Sequence, residues 1–308
     1  MNVPDFARDA WFLTGPTASG KSSVGVELAG RIGAEIVSLD SMAIYRGMNI
    51  GTAKPSAAER RQVPHHLIDL VDPGEEFSLA QYVAAAARAV AEISSRGRRV
   101  LLVGGTPLYL KALLRGIFEG PPADWTLRRQ LLAEAERRGP DWLHEQVARV
   151  DPEAAARLHA NDARRLVRAL EVFQKTGRPI SQWQRQFDVE RSTDECRVFV
   201  LQWSREDLAL RIQRRCRQMF DDGLVEEVRG LLARGPFSRT ARQAVGYREV
   251  IEHFEGRRGL TETIALVEQH TRQLAKRQET WFRSLSECRA TPLAEPFDAA
   301  EIARRIAT

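Results

Sequence analysis

Trp11-Phe12-Leu13-Thr14-Gly15-Pro16-Thr17-Ala18-Ser19-Gly20-Lys21-Ser22 decides the fold of this chain. Its last eight residues match G-x-x-x-x-G-K-[ST], a loop that cradles phosphate between a strand and a helix. Trp11-Phe12-Leu13 is apolar and reads as the strand. Ser22 to Arg31 reads as the helix, with Val24, Leu28 and Ile32 on one side. Glycine lets the backbone from Gly15 through Thr17, Ala18 and Ser19 to Gly20 curl so that its N–H groups point inward. The helix N-terminus adds partial positive charge and Lys21 a full one. The Ser22 hydroxyl suits a magnesium ion. The stretch therefore implies binding of a phosphate or diphosphate, and leaves the reaction open.

Working outward, Ala34 to Asp40 reads as a second strand ending in an acid. Ser78 to Ser95 is an alanine-rich helix closed by Gly97, and Arg99 to Val103 is a third strand closed by Gly104-Gly105-Thr106. Strand–helix alternation implies an α/β fold with a parallel sheet. Ligands in such sheets sit beyond the carboxyl ends of the strands. Gly15, Asp40 and Thr106 each lie just past such an end, which puts three segments around one pocket. After Gly116 the strand signal fades, and Gly120-Pro121-Pro122 reads as a boundary. Helical patterns fill Thr126 to Arg138, Pro140 to Val150, Pro152 to His159 and Asp162 to Lys175, followed by a polar stretch from Gln182 to Asp194. Arg197 to Trp203 reads as one more strand, and the rest looks helical, with breaks at Gly223, Gly235 and Gly256. The expected organisation is a P-loop parallel-sheet core in residues 1–120 and 197–308, with a mainly helical insertion in residues 121–196.

The chain has 308 residues and a net charge of +5, and only Lys21, Lys54, Lys111, Lys175 and Lys276 among its 46 basic residues are lysine. Arginine forks bind phosphate oxygens in pairs, although arginine enrichment also follows from a genome's base composition. Three cysteines without C-x-x-C spacing indicate neither a disulfide framework nor a zinc site. An acidic N-terminus (Asp5, Asp9) does not read as a signal peptide. No apolar run is long enough to span a bilayer, so a cytoplasmic protein without membrane contact is expected.

Several residues carry more than one reading. Asp40 is a metal-binding acid, a general base beside a bound phosphate, or a cap for the segment that follows it. Thr106 is a phosphate donor or a cap before Pro107. Arg211 and Arg215 stack four apart on one helix, Arg164 and Arg168 on another with Arg165 beside them, and Arg272 and Lys276 on a third. Each is a solvated face or part of a polyanion surface. Tyr247 is a base-stacking ring or a core aromatic. Adjacent His65-His66 point to different sides and read as structural. A P-loop small-molecule kinase, using the loop as an ATP site, fits these residues too.

The ordered set of motifs narrows the choice. Gly15–Ser22, Asp40-Ser41-Met42-Ala43-Ile44-Tyr45-Arg46-Gly47-Met48, Ile50-Gly51-Thr52-Ala53-Lys54-Pro55, Val63–Asp69 and Val103–Tyr109 resemble the bacterial tRNA dimethylallyltransferases. So do Asn161–Leu166, Val245-Gly246-Tyr247-Arg248 and Ala275-Lys276-Arg277-Gln278. Together they span the chain from about residue 12 to about residue 283.

The resemblance implies transfer of a dimethylallyl group from dimethylallyl diphosphate to N6 of the adenosine 3′ of the anticodon. The partners would be the tRNA anticodon stem-loop and the prenyl donor, with Mg2+ as cofactor. No obligate protein partner is implied, and a monomer is expected. Lys21 and Ser22 would hold diphosphate and Mg2+, Asp40 would be the general base, and Thr106 would contact the diphosphate. Arg215, or Arg211 after it, would bind the diphosphate. Contacts with tRNA would map to Ser41, Met42, Ala43 and Thr106, to Arg128, to Arg164, Arg165 and Arg168, and to Arg242, Gly246, Tyr247 and Arg248. Many members of the family carry glutamine where this chain has Ala43.

Overall fold

The computed structural model describes residues 9–118, 120–184 and 196–308. Asp5 of the acidic N-terminus and residues 185–194 of the polar stretch lie outside the described residues. The chain divides into two compact units, residues 115–184 of those described and the remainder.

The larger unit begins with β1 (Trp11–Thr14), α1 (Lys21–Ile32), β2 (Ala34–Ser38), α2 (Ala57–Gln62), β3 (His65–His66), α3 (Leu79–Ser95), β4 (Arg99–Gly104) and α4 (Pro107–Arg115). The smaller unit, which begins at Arg115, holds α5 (Trp125–Arg138), α6 (Trp142–Val150), α7 (Pro152–Arg157), α8 (Ala163–Thr176) and α9 (Ile180–Trp183). The larger unit resumes with β5 (Arg197–Gln202), α10 (Arg205–Asp221), α11 (Leu224–Arg234), α12 (Arg239–Arg242), α13 (Tyr247–Phe254), α14 (Leu260–Arg283), β6 (Cys288–Pro292) and α15 (Ala299–Ala307).

Among the described residues, six strands form one parallel sheet in the order β3-β2-β4-β1-β5-β6. Thr14 pairs with Gly104, and Ser38 with Val103, so β2, β4 and β1 end side by side. The α/β class with a parallel sheet is as expected from the strand–helix alternation. Two strands escaped that pattern. β3 is two histidines long, and β6 reads Cys-Arg-Ala-Thr-Pro with three of its five residues exposed. Edge strands bury little, so their sequences carry little apolar signal. Residues near 290 are therefore corrected from helix to strand, and His65-His66 form the edge strand β3.

Burial explains why the sheet is apolar. Leu13, Ile36 and Leu101 pack with Val24 and Leu28 of α1 and with Ile302, Ala303 and Ile306 of α15. The smaller unit has its own core, in which Leu131, Leu143, Val147, Leu166 and Leu170 meet. Three of its helices, α5, α7 and α8, start on side-chain caps: Asp124 accepts from the Leu127 N–H, Asp151 from Ala154 and Asp162 from Arg165. Glu171 of α8 is fully buried. It takes two hydrogen bonds from Arg128, at 2.9 and 2.7 Å, and one from Arg168 at 2.5 Å. Burial pushes its carboxyl up, yet Arg128, the Asp124 N–H and Arg168 together hold it below the usual carboxylate range. Arg128 thus joins α5 to α8, while Arg168 meets Glu171 within α8 and donates to the Pro121 carbonyl at 3.0 Å.

Candidate active site

The chain folds three strand ends into one cavity of about 360 Å3. The loop after β1 contributes Thr17, Lys21 and Ser22. The turn after β2 contributes Asp40, Ser41, Met42 and Ala43, and the turn after β4 contributes Gly104, Gly105 and Thr106. The placement follows from the sheet order, since β2, β4 and β1 are neighbours.

The Asp40 carboxylate accepts from the Met42 N–H at 2.8 Å and from the Ala43 N–H at 3.3 Å. It therefore caps its own turn and faces the cavity as well. Thr106 joins this turn to the next one. Its Oγ1 accepts from the Ser41 N–H at 3.0 Å and donates to Ser41 Oγ at 3.3 Å, while its own N–H donates to the Leu39 carbonyl. The long Thr106–Ser41 contact leaves a hydroxyl proton that can turn to an anion in the cavity. Tyr82 supports the region from below, donating to the Ser38 carbonyl at 3.0 Å and stacking on Tyr109 with ring centroids 3.8 Å apart.

The positive wall is Lys21 and Arg215. Lys21 Nζ donates to the Pro16 carbonyl at 3.2 Å. Desolvation and the nearby Arg215 bring its ammonium down to about 8, against the pull of Asp40. Burial lowers the Arg215 guanidinium too, with Asp40 opposing. Two cations held close without full compensation form a site prepared for an anion.

Arg211, expected as the second diphosphate ligand, is placed elsewhere. Its Nε donates to the Ala18 carbonyl at 3.0 Å, and its Nη1 meets Glu295 at 3.0 Å. The guanidinium lies between the rings of Trp203 and Phe297, at 4.3 and 4.7 Å from their centroids. Trp203 Nε1 donates to the Ser19 carbonyl at 3.0 Å. These groups hold loop carbonyls on the side away from the cavity. Gly20 has φ of 86°, and a Cβ there would lie 2.5 Å from the Phe297 ring. Gly15, Ala18, Ser19, Gly20 and Arg211 shape the loop, and none of their side chains lines the cavity.

The residues expected to contact RNA separate into groups. Ser41, Met42 and Ala43 line the cavity. Tyr247 is fully buried in the core, and its hydroxyl donates to Glu227 at 2.5 Å. Its ring offers no face for stacking, which corrects that expectation. Arg242 pairs with Glu255. Arg248 bonds the buried Glu249 at 2.5 Å, and Glu249 also accepts from the Gly246 N–H at 2.7 Å. Arg128 and Arg168 are committed to Glu171. Arg164 and Arg165 are exposed on α8, with Arg165 paired to Asp162 at 3.2 Å.

Sequence reading missed the fourth wall. Val267, Thr271, Leu274 and Gln278 of α14 line the cavity with Cys216 and Met219 of α10. Their spacing, i, i+4, i+7 and i+11, is the signal that was present. It reads equally well as a face packed into the core. Arg277 also reaches the cavity and is exposed. Among the described residues, no cluster of three or more His, Cys, Asp or Glu could hold a metal ion, and no helix is long and apolar enough to cross a membrane.

A family model described as IPP transferase matches residues 43–285. A protein of Geobacter metallireducens named tRNA dimethylallyltransferase is 52% identical over 279 residues, covering 89% of each chain. A protein of the same name from Rhodopirellula baltica is 47% identical, over 96% of this chain and 91% of its own. Among solved structures, the full-length tRNA isopentenylpyrophosphate transferase of Bacillus halodurans is 38% identical, with a TM-score of 0.69. It covers 97% of this chain and 96% of that one. A eukaryotic dimethylallyltransferase acting on tRNA is 26% identical, with a TM-score of 0.77 over 97% of this chain and 77% of its own.

Proposed function

Since the chain belongs to the IPP transferase family, we propose that it transfers a dimethylallyl group from dimethylallyl diphosphate to N6 of the adenosine 3′-adjacent to the anticodon of tRNA, releasing diphosphate. The observation that carries this reading is a single cavity in which Lys21 and Arg215 face Asp40, beside an apolar wall from α10 and α14. The relatives described above carry tRNA-prenylation names, which leaves the kinase alternative without support.

The diphosphate lies on the loop after β1, where inward N–H groups, Lys21 and Arg215 balance its charge. As the C1–O bond to diphosphate breaks, charge grows on the leaving oxygens, and these cations oppose it most at that moment. Thr106 turns its hydroxyl proton to the diphosphate. The allylic carbon gains cation character, and the weakly nucleophilic N6 amine attacks it. Asp40 takes the N6 proton as the N–C bond forms. The base reaches the cavity only when turned out of its stack, past Ser41, Met42 and Ala43. Ser22 supplies a hydroxyl, a hard-oxygen group that fits Mg2+ held mainly by phosphate oxygens and water. Bound there, Mg2+ would withdraw charge from the diphosphate.

The test is incubation with labelled donor and unmodified tRNA. Label in the RNA at the adenosine beside the anticodon is the expected result, and its absence with folded protein overturns the reading.

The lowered Lys21 value gives a pH dependence. In the free protein Lys21 loses its charge as pH rises through about 8. A bound diphosphate favours the ammonium, so binding above that pH takes up a proton. Donor affinity is expected to fall as pH rises from 7.5 to 9, by up to roughly tenfold per unit. Calorimetry in buffers of different ionisation enthalpy reads the uptake directly. Lys21→Arg, which stays charged, should flatten the dependence.

Arg164 supplies a contact to the RNA backbone. Arg164→Ala is expected to weaken tRNA binding about tenfold at low salt and to reduce the salt slope by about one ion. Arg168→Ala should instead lower stability in urea, because it leaves the buried Glu171 short of a partner. Filter binding across a salt series separates the two.

A further inference from the structure

Gln278 of α14 is 8% exposed. Its Oε1 accepts from the Thr17 N–H at 2.9 Å, and its Nε2 donates to the Gly105 carbonyl at 2.5 Å. The amide orientation is forced, since an N–H can only give and a carbonyl can only receive. Thr17 belongs to the anion loop. Gly105 precedes Thr106, which is bonded to Ser41 beside Asp40. One side chain thus spans the loop that holds the leaving group and the turn that adjoins the base. The approach is close: a Cβ at residue 105 would lie 2.8 Å from Gln278 Nε2. Glycine at that position is what lets the amide reach.

We propose that Gln278 is a positioning residue for the transfer reaction, fixing the distance between the diphosphate loop and the Thr106–Asp40 turns. The proposal rests on the functional reading given above. Bond breaking and bond making in the transfer share one line, and an error of about 1 Å in such a line costs on the order of 100-fold in rate. Substitution should therefore act mainly on kcat. It should leave tRNA affinity alone, since Gln278 is nearly covered.

Two variants test this. Gln278→Met keeps length and removes both hydrogen bonds. Its kcat is expected to fall about 100-fold, with affinity for inorganic diphosphate down roughly tenfold and tRNA affinity unchanged. Gln278→Glu keeps the acceptor for Thr17 and sets a carboxylate against the Gly105 carbonyl. Once protonated, that carboxyl donates to Gly105 as the amide did. The rate of Gln278→Glu divided by the wild-type rate should therefore climb as pH falls from 8 to 5.5, which loss of general packing would not produce. Wild-type kcat in Gln278→Met, or a flat ratio in Gln278→Glu, overturns the proposal. If Gln278→Met is too unstable to assay, the pH ratio of Gln278→Glu decides alone. Wild-type protein that fails to label tRNA counts against the functional reading. Diphosphate affinity across the three proteins, read by calorimetry, then still tests the bridge: equal values refute it.

Discussion

Asp40→Asn is expected to slow prenyl transfer on the order of 10³-fold while tRNA and donor still bind. The substitution suits the geometry. An asparagine Oδ1 still accepts from the Met42 and Ala43 N–H groups, so the turn keeps its shape. What disappears is the ability to take a proton from N6. Removal of the negative charge also eases the approach of diphosphate to Lys21 and Arg215, so donor affinity should hold or rise. Asp40→Ala loses the cap and the base together, and should bind the RNA less well. Single-turnover transfer with labelled donor, with tRNA affinity measured by filter binding, distinguishes the two roles. A wild-type single-turnover rate in Asp40→Asn would remove Asp40 from the chemistry.

Arg215→Met is expected to lower kcat by roughly 10³-fold, the scale seen when one charge-stabilising group is removed from a developing anion. Arg211→Met, only one helical turn away, should behave differently. Arg211 touches the outer side of the loop through the Ala18 carbonyl and is already balanced by Glu295. Its loss should raise KM for the donor about tenfold, lower the unfolding temperature, and change kcat much less. Matched kinetic and melting measurements on the pair provide the check. Equal losses of kcat in both would mean that the two arginines share the leaving group.

That contrast shows where the sequence stops informing. Spacing of four places Arg211 and Arg215 on one face of α10, and nothing in the chain says which lies over the cavity. Only the position of α10 against the loop decides it. The same holds for Arg128, which becomes a partner of Glu171 only once α5 lies on α8, whereas Arg168 meets Glu171 within α8 at i, i+3. Whether Tyr247 stacks on a base or sits in the core stayed open in the sequence because the carboxylate that accepts from its hydroxyl, Glu227, is on another helix. By contrast, the loop after β1, Asp40 and Thr106 were legible as sharing one cavity, because each follows an apolar strand and parallel sheets gather their strand ends. The α14 wall was hidden because a helix stripe facing a cavity and one facing a core have the same period.

The rear of the anion loop has a consequence for synthesis. Phe297 and Glu295 press on Gly20 and Arg211 from a segment made almost 280 residues after the loop itself. A nascent chain on the ribosome that has not yet been extended through residue 297 lacks the support that shapes its glycine turn. Capture of the donor should therefore begin only late in translation, once residue 297 has been added.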